Sequence, residues 1–217
     1  MAAASTLSAL RSLVAARFPA TERRPGNCVP TGIAAIDGAL GGGLAAGELT
    51  EVISGGEGCG GQLLTALLLA GTRAARQRVA LVDGADGFSP DAVPADALRH
   101  LVWVRARNPG EALAAADVLA RDGNYAAIVI DLRGLAEGAL RRTPDAVWLR
   151  LRRAAESRPA AILVQTEFPL VPAVARRLVL RMPRGLSHRR REQAELAAQA
   201  TAEMVRGRAA AAEEMAG

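Results

Sequence analysis

The sequence contains no lysine, and all 27 positions counted as lysine or arginine are arginine. This absence excludes a catalytic lysine, whether from the same chain or from a second copy in a homo-oligomer. With 22 acidic residues, the formal net charge is +5. A basic balance of this size is compatible with an acidic partner, either nucleic acid or protein, but it does not identify one.

Cysteine and histidine are also scarce, and long apolar runs are missing. The chain has two cysteines, Cys28 and Cys59, and two histidines, His100 and His188. Their spacing fits no metal-ligand motif. We therefore predict no metal site and a reduced, cytoplasmic chain. The sequence has no run of about 18 apolar residues, so neither a membrane span nor a membrane partner is predicted. The first residues also lack the continuous apolar stretch of a signal peptide.

Apolar runs that alternate with helical patterns predict an α/β core. Aromatic residues make up only 3% of the chain, so small aliphatic side chains must fill that core. The predicted strands are Leu49–Gly55, Arg78–Asp83, His100–Arg105, Ala126–Asp131, Ala160–Gln165 and Arg177–Arg181. The predicted helices are Gly60–Arg76, Gly110–Arg121 and Thr143–Ser157. This alternation is typical of a twisted, mostly parallel sheet with helices on both faces.

Both ends of the chain are predicted to add helices to this core. Thr6–Phe18 is amphipathic and is a candidate docking helix. Its apolar residues fall three or four positions apart and form one face: Leu7, Leu10, Val14 and Phe18. An alanine-rich stretch predicts one long helix over Ser187–Met215. The predicted organisation is therefore an N-terminal helix and linker at 1–29, a core at 30–183, and a helical tail at 184–217.

A glycine-rich loop precedes the first long helix of the core. The loop and the start of the helix consist of Gly55, Gly56, Glu57, Gly58, Cys59, Gly60, Gly61 and Gln62. A nucleotide-hydrolysing loop reads G-x-x-x-x-G-K-[ST] between a strand and a helix. Gly61 stands at the lysine position, and Gln62 stands where a hydroxyl should hold Mg²⁺.

These two replacements predict that the loop does not support hydrolysis and that the chain carries no cofactor. Two interpretations stay open. Backbone N–H groups at the helix N-terminus can still bind a nucleotide or phosphate weakly. Alternatively, the loop is a purely structural turn.

The residues around this loop resemble the core of the RecA recombinase. The resemblance to the entry of that core rests on Thr31, Gly32, Ile36, Asp37, Leu40, Gly42, Gly43, Leu44, Gly47, Glu51, Gly55, Glu57 and Gly60. The stretch that opens with Asn108 is similar to the next RecA block, and its apolar strand ends at Asp131, in the position of the Walker B aspartate. The similarity spans about residues 30–183 and implies a RecA-like core.

Departures from the RecA pattern are as informative as the matches. Ala85 takes the place of the catalytic glutamate, and neighbouring Asp86 points differently on an extended backbone. Both loops that grip DNA in RecA look shorter here, and its C-terminal domain is missing. A RecA-like core with these losses is similar to the ImuA family, a group that also contains SulA-like relatives.

The resemblance to ImuA implies a non-catalytic adaptor in SOS-induced translesion synthesis. Its expected partners are RecA and ImuB, a catalytically dead homologue of Y-family polymerases, with an error-prone polymerase as an indirect partner. Two alternatives stay open. One is a divergent ATPase of the recombinase superfamily, and the other is a SulA-like inhibitor of the tubulin-like division protein FtsZ.

Clustered arginines are candidates for contacts with DNA or with an acidic partner. They are Arg133, Arg141, Arg142, Arg150, Arg152, Arg153, Arg189, Arg190 and Arg191. The shortened loops argue against tight DNA binding, so we expect any such binding to be weak. A solvated basic face is the alternative for the arginines near 150. Trp148 and Leu151, three positions apart, are predicted to face the sheet.

Overall fold

A computed structural model of the chain describes residues 28–55, 58–172, 174–183 and 193–205. The strands are β1 (Cys28–Val29), β2 (Leu44–Ala45), β3 (Leu49–Ile53), β4 (Val79–Asp83), β5 (Leu101–Arg105), β6 (Ala127–Asp131), β7 (Ala161–Thr166), β8 (Arg176–Arg181) and β9 (Thr201–Val205). The helices are α1 (Ala34–Leu40), α2 (Gly61–Ala74), α3 (Pro109–Asp122), α4 (Glu137–Leu140), α5 (Asp145–Ser157) and α6 (Gln193–Ala198). Within these ranges, no helix combines the length and apolar character needed to cross a membrane.

Seven of the strands form one sheet in the order β5-β4-β6-β7-β3-β8-β9. Each of the first six runs parallel to its neighbours, whereas β9 pairs antiparallel with β8. β3, β4, β6 and β7 are buried along their whole length, as expected for parallel strands covered on both faces. The predicted α/β fold with a mostly parallel sheet is therefore confirmed.

Two apolar layers hold helices against the two faces of the sheet. On one face, α1 and α2 pack in a cluster with Val129 and Leu163. On the other, α3 and α5 pack with Ile130 and Val164. These side chains alternate because successive residues of a strand point to opposite faces. Burial of each such side chain contributes about 1.5–3 kcal/mol, so the two layers dominate the stability of the core.

A buried ion pair fixes the connection between β7 and β8. Glu51 of β3 lies opposite Arg177 of β8, and Arg177 Nε donates to Glu51 Oε2 at 2.5 Å. Glu51 Oε1 accepts hydrogen bonds from the backbone N–H groups of Leu170 at 2.8 Å and Val171 at 3.1 Å. Because Glu51 is fully buried, this pairing offsets a large desolvation cost and ties the loop to the sheet.

The core strands and helices confirm the sequence predictions to within two residues at each end. Trp148 and Leu151 of α5 are both buried against the sheet, as their spacing predicted. The predicted helix Thr6–Phe18 lies outside the described residues, as do its apolar positions Leu7, Leu10, Val14 and Phe18.

The prediction of one long C-terminal helix is wrong over the residues that the structure describes. Gln193–Ala198 is a short helix, and Thr201–Val205 is the edge strand β9. Alanine favours helix in isolation, but tertiary context overrides such propensities. Here the open edge of β8 offers a row of backbone partners, and β9 takes them. The core sheet therefore extends beyond the predicted boundary at residue 183.

Candidate functional site

The glycine loop connects β3 to α2 at the carboxyl edge of the sheet. Gly60 has a left-handed backbone, with a φ of 92°, and α2 begins at the next residue, Gly61. A Cβ atom on Gly60 would lie 2.6 Å from Met182 Cγ, so both conformation and space favour glycine there. The structure therefore places the framing glycine at the start of a helix, as a phosphate-binding loop requires.

Two further glycines of the loop, Gly55 and Gly58, lie within the described residues. Gly58 also has a positive φ, of 70°, and Gly55 is exposed after β3. Gly56 and Glu57 lie outside the described residues. The described part of the loop is therefore Gly55 and the stretch from Gly58 to the start of α2.

Asp131, at the end of β6, is held by the arginine two residues later. Arg133 Nε donates to Asp131 Oδ1 at 2.9 Å, and Arg133 Nη2 contacts Asp131 Oδ2 at 2.5 Å. The backbone N–H of Arg133 also donates to Oδ1, at 3.1 Å. The side chains are only 15% and 10% exposed. Asp131 therefore has the position expected of a Walker B aspartate, but its carboxylate is already engaged.

The charge of Arg133 is secured by this pairing. Burial by itself lowers the pKa of Arg133, but the hydrogen bonds and the charge of Asp131 outweigh it, and the pKa is raised above its ordinary value. Arg133 Nη1 also lies 3.8 Å from Cys59 Sγ in the glycine loop. A permanent positive charge thus sits against the loop, although its principal hydrogen-bond partner is Asp131.

Arg133 fills the space into which a side chain at position 61 would project. A Cβ atom built on Gly61 would lie 1.8 Å from Arg133 Nη1 and 2.6 Å from Gln165 Oε1. A lysine side chain at position 61 could extend from the helix only if the Arg133 guanidinium moved. Arg133 was predicted to be one of the arginines that contact DNA or a partner. In the structure its guanidinium lies beside Gly61 and Cys59 of the glycine loop.

Gln62, at the position of the metal-binding hydroxyl, turns away from the loop. Its Nε2 donates to the backbone carbonyl of Gly87, in the segment that follows β4. That segment is organised by Asp83, whose carboxylate accepts from the N–H groups of Gly87 at 2.9 Å and Phe88 at 3.0 Å. Gln62 and Asp83 therefore hold a loop in place, and neither is free to bind a metal ion.

The segment after β4 also lacks an acidic side chain directed at the glycine loop. Ala85 stands at the position of the catalytic glutamate and lies beside Gly134. Asp86, with a φ of 54°, pairs with Arg105 at the exposed edge of the sheet. Asp86 therefore points elsewhere, as expected, but the expected extended backbone is wrong, because the backbone of Asp86 is left-handed. The described residues of this segment do not supply a carboxylate that could activate water at the loop.

Two further polar side chains at this edge were missed by the sequence analysis. Gln165, near the end of β7, is fully buried and donates through Nε2 to Thr65 Oγ1 at 2.8 Å, while its Oε1 has no partner. Glu167 accepts a hydrogen bond from the backbone N–H of Gly134 at 3.2 Å. A polar residue at the carboxyl end of an apolar parallel strand is the signal that identifies Gln165, since ligands bind at that edge.

The described residues of the loop lack the side chains with which such a loop holds a magnesium nucleoside triphosphate. The lysine and hydroxyl positions carry no such groups, Arg133 occupies the space beside Gly61, and the Asp131 carboxylate is paired. What remains is a set of backbone N–H groups at the start of α2, which suits a weakly held anion. Even an anion would compete with Asp131 for the guanidinium of Arg133.

The other candidate arginines within the described ranges are exposed and lie apart from this site. Arg141 pairs with Glu137 at 2.7 Å, Arg150 with Asp117 at 3.2 Å, and Arg152 with Glu156 at 3.7 Å. Arg142 and Arg150 line one small depression, and Arg153 is exposed on α5. Arg189, Arg190 and Arg191 lie outside the described residues. The structure brings none of these residues to the glycine loop.

Part of the chain is similar to a curated protein of known type. Over 122 residues it is 38% identical to "Protein RecA" of Leifsonia xyli subsp. xyli (strain CTCB07). The match covers 53% of this chain and 33% of that protein, so this chain spans about a third of the relative's length. No protein-family model matches the sequence. Together with the mostly parallel α/β sheet, this similarity supports a RecA-like core.

Proposed function

We propose that the chain is a RecA-like adaptor of the ImuA type that no longer hydrolyses ATP. It acts by binding other proteins in SOS-induced translesion synthesis in the cytoplasm. Its partners are RecA and ImuB, and an error-prone polymerase joins through them. The similarity to RecA supports the scaffold, and the geometry of the glycine loop supports the loss of hydrolysis.

The observation that carries the proposal is the position of Arg133. Phosphoryl transfer depends on groups that stabilise charge in the transition state, and loss of one such group costs about 10²–10³ in rate. Here the lysine and the hydroxyl are both replaced, and Arg133, paired with the Walker B-like Asp131, lies in the space beside Gly61 that the lysine would use. Because the guanidinium of Arg133 is paired with the Asp131 carboxylate, it contributes little to stabilising the negative charge of a phosphate.

A core without a nucleotide cycle presents the same surfaces at all times. In a nucleotide switch, the γ-phosphate orders loops that are released on hydrolysis. Here the segment after β4 is held by Asp83, and the segment after β7 is held by Glu51, both through hydrogen bonds within the chain. These fixed loops support a role in docking rather than in a cycle of conformational change.

The loss of hydrolysis is tested by measuring ATP turnover with magnesium. We expect the full chain and its Asp131→Asn variant to release phosphate at the same background rate. A rate that depends on magnesium and falls in Asp131→Asn would favour the alternative, a divergent recombinase-type ATPase. Circular dichroism of both proteins checks that the substitution leaves the fold intact.

The adaptor role is tested by direct binding of purified proteins. We expect the full chain to bind RecA and ImuB saturably in sedimentation velocity without added nucleotide. The Asp131→Asn variant is expected to bind both proteins with the same affinity. Absence of binding to both proteins would contradict the proposal. Inhibition of FtsZ polymerisation under the same conditions would favour the SulA-like alternative.

A further inference from the structure

A groove of about 520 Å³ lies between the start of β3, the first half of α5 and the segment that leads into β8. Trp148 and Val171, both buried, contribute apolar surface to it, and Leu149 stands at its side. Leu149 is 38% exposed, so it adds apolar surface at the mouth of the groove. The groove is separate from the glycine loop, which lies at the opposite end of β3.

The described chain begins beside this groove. Cys28 lies opposite Ala45 in the antiparallel pair β1–β2, so the residues before Cys28 emerge on the side of position 47. A turn in which the Glu48 N–H donates to the Ala45 carbonyl at 3.2 Å follows immediately. Gly47 and Glu48 both line the groove. The residues before Cys28 therefore leave the described core on the side of the turn that carries Gly47 and Glu48.

The composition of those residues matches the groove. Residues 6–18 carry apolar side chains at helical spacing, and residues 1–27 contain four arginines against one glutamate, a side-chain charge of +3. The carboxylates of Glu48, Asp145 and Glu156 line the groove. Glu48 pairs with Arg176 at 2.9 Å and Glu156 with Arg152 at 3.7 Å, whereas Asp145 has no ion pair within the described residues and leaves the rim acidic. An amphipathic basic segment is therefore complementary to it in both polarity and charge.

The reach of the chain also permits this contact. Nine residues, 19–27, separate the amphipathic stretch from β1 and can span up to about 30 Å. A 13-residue helix over 6–18 would be about 20 Å long. A segment tethered this close to its site binds with an effective concentration in the millimolar range. Even a modest intrinsic affinity then keeps the segment docked.

We propose that residues 6–18 dock as a helix into the α5–β3 groove of their own chain. The apolar face of the segment covers Leu149, and its arginines face the acidic rim. This contact lies outside the glycine loop and does not depend on the adaptor role proposed above.

The test is hydrogen–deuterium exchange of the full chain, followed by mass spectrometry. We expect amides of residues 6–18 to exchange slowly in the wild type and at least about tenfold faster in Leu149→Arg, because the new charge repels the segment and removes apolar contact. Val118→Arg is the matched control. Val118 is 68% exposed on α3 and does not line the groove, so its substitution is expected to leave exchange in 6–18 unchanged.

A second variant guards against a folding defect in Leu149→Arg. Leu10→Glu alters only the segment, and we expect it to accelerate exchange of the amides of residues 145–149 by a similar factor. Equal exchange of residues 6–18 in the wild type and Leu149→Arg would overturn the proposal. Protection that grows with protein concentration, together with a dimer mass, would assign the groove to a second copy and also overturn docking within one chain.

Discussion

Gly61 and Arg133, which lie 72 positions apart in sequence, share one small volume at the start of α2. A single added carbon at Gly61 would approach Arg133 Nη1 to 1.8 Å. The glycine and the arginine are therefore coupled, because a side chain at position 61 would require the Arg133 guanidinium to shift. This dependence makes the glycine loop testable by stability measurements as well as by activity.

We predict that Gly61→Ala destabilises the protein by about 1–3 kcal/mol, because overpacking forces Arg133 off Asp131. In the Arg133→Ala background the same change should cost about 1 kcal/mol less, a coupling expected of residues in contact. Urea unfolding of the four proteins of the cycle measures this coupling. Gly71→Ala is the control: no atom lies within 4 Å of its Cβ position, so it should be stabilising by about 0.5–1 kcal/mol. Additive effects of Gly61→Ala and Arg133→Ala would show that the two residues are independent.

Glu51→Gln is expected to lower the free energy of unfolding by about 3 kcal/mol. The substitution leaves Arg177 buried without its carboxylate, and breaking one side of a buried ion pair costs about 3–5 kcal/mol. Glu48→Gln removes the neighbouring pair with Arg176, which is partly exposed, and should cost less than about 1 kcal/mol. Chemical denaturation compares the two variants. Similar losses from both would contradict the importance assigned to burial.

Stability should depend on pH through Asp96. The side-chain hydrogen bond from Arg73 lowers the pKa of Asp96 below its ordinary value of 3.8. A carboxylate with a lowered folded-state pKa contributes stability above its unfolded-state pKa and loses it as the pH falls through the folded-state value. Asp96→Asn should therefore be less stable than the wild type at pH 7, and the difference should shrink below about pH 4.

Urea midpoints of both proteins from pH 7 to pH 2 measure this effect. Asp91→Asn is the control, because Asp91 is exposed and has no ion pair within the described residues. A difference between Asp96→Asn and wild type that persists unchanged at pH 2 would show that the carboxylate charge is not the cause.

Single-stranded DNA is expected to bind weakly, through the exposed arginines near α5, and only at low salt. The logarithm of the affinity should fall linearly with the logarithm of the salt concentration, because phosphate contacts release counterions. Replacing Arg142 and Arg153 by alanine should reduce the slope by about 1–2. The pair Arg76→Ala and Arg78→Ala changes the net charge equally elsewhere on the surface and should leave the slope nearly unchanged. Fluorescence anisotropy measures all three proteins; binding that is absent or insensitive to salt would remove DNA from the proposed partners.

Most of the core could be predicted from sequence because its strands are apolar along their whole length. Val129 and Ile130, like Leu163 and Val164, belong to runs that only a sheet covered on both faces can bury. The C-terminal helix could not be judged in this way. Local propensity favours helix there, whereas β9 depends on an edge supplied by β8, a partner that the pattern of residues 201–205 does not reveal.

The position of the candidate site could be predicted from sequence, but the presence of the Arg133 side chain in it could not. The resemblance to RecA implied that Asp131 is the Walker B aspartate, and the parallel sheet brings the end of β6 to the edge where the glycine loop lies. The direction of the Arg133 side chain depends on Asp131, two residues away, and also on Cys59 and Gly61, which lie more than 70 positions earlier in the sequence. Gln165 escaped notice for a similar reason, since its hydrogen bond to Thr65 joins residues 100 positions apart.

Because β9 belongs to the core sheet, the predicted core at 30–183 is not a complete folding unit. A fragment that stops at residue 183 would leave β8 with an unprotected row of N–H and carbonyl groups along one side. Bare strands of this kind recruit strands from other molecules, so such a fragment would be expected to precipitate or to form mixed oligomers. β9 covers this side of β8 and is itself the last strand of the sheet that the structure describes, so recombinant versions of this protein should retain it.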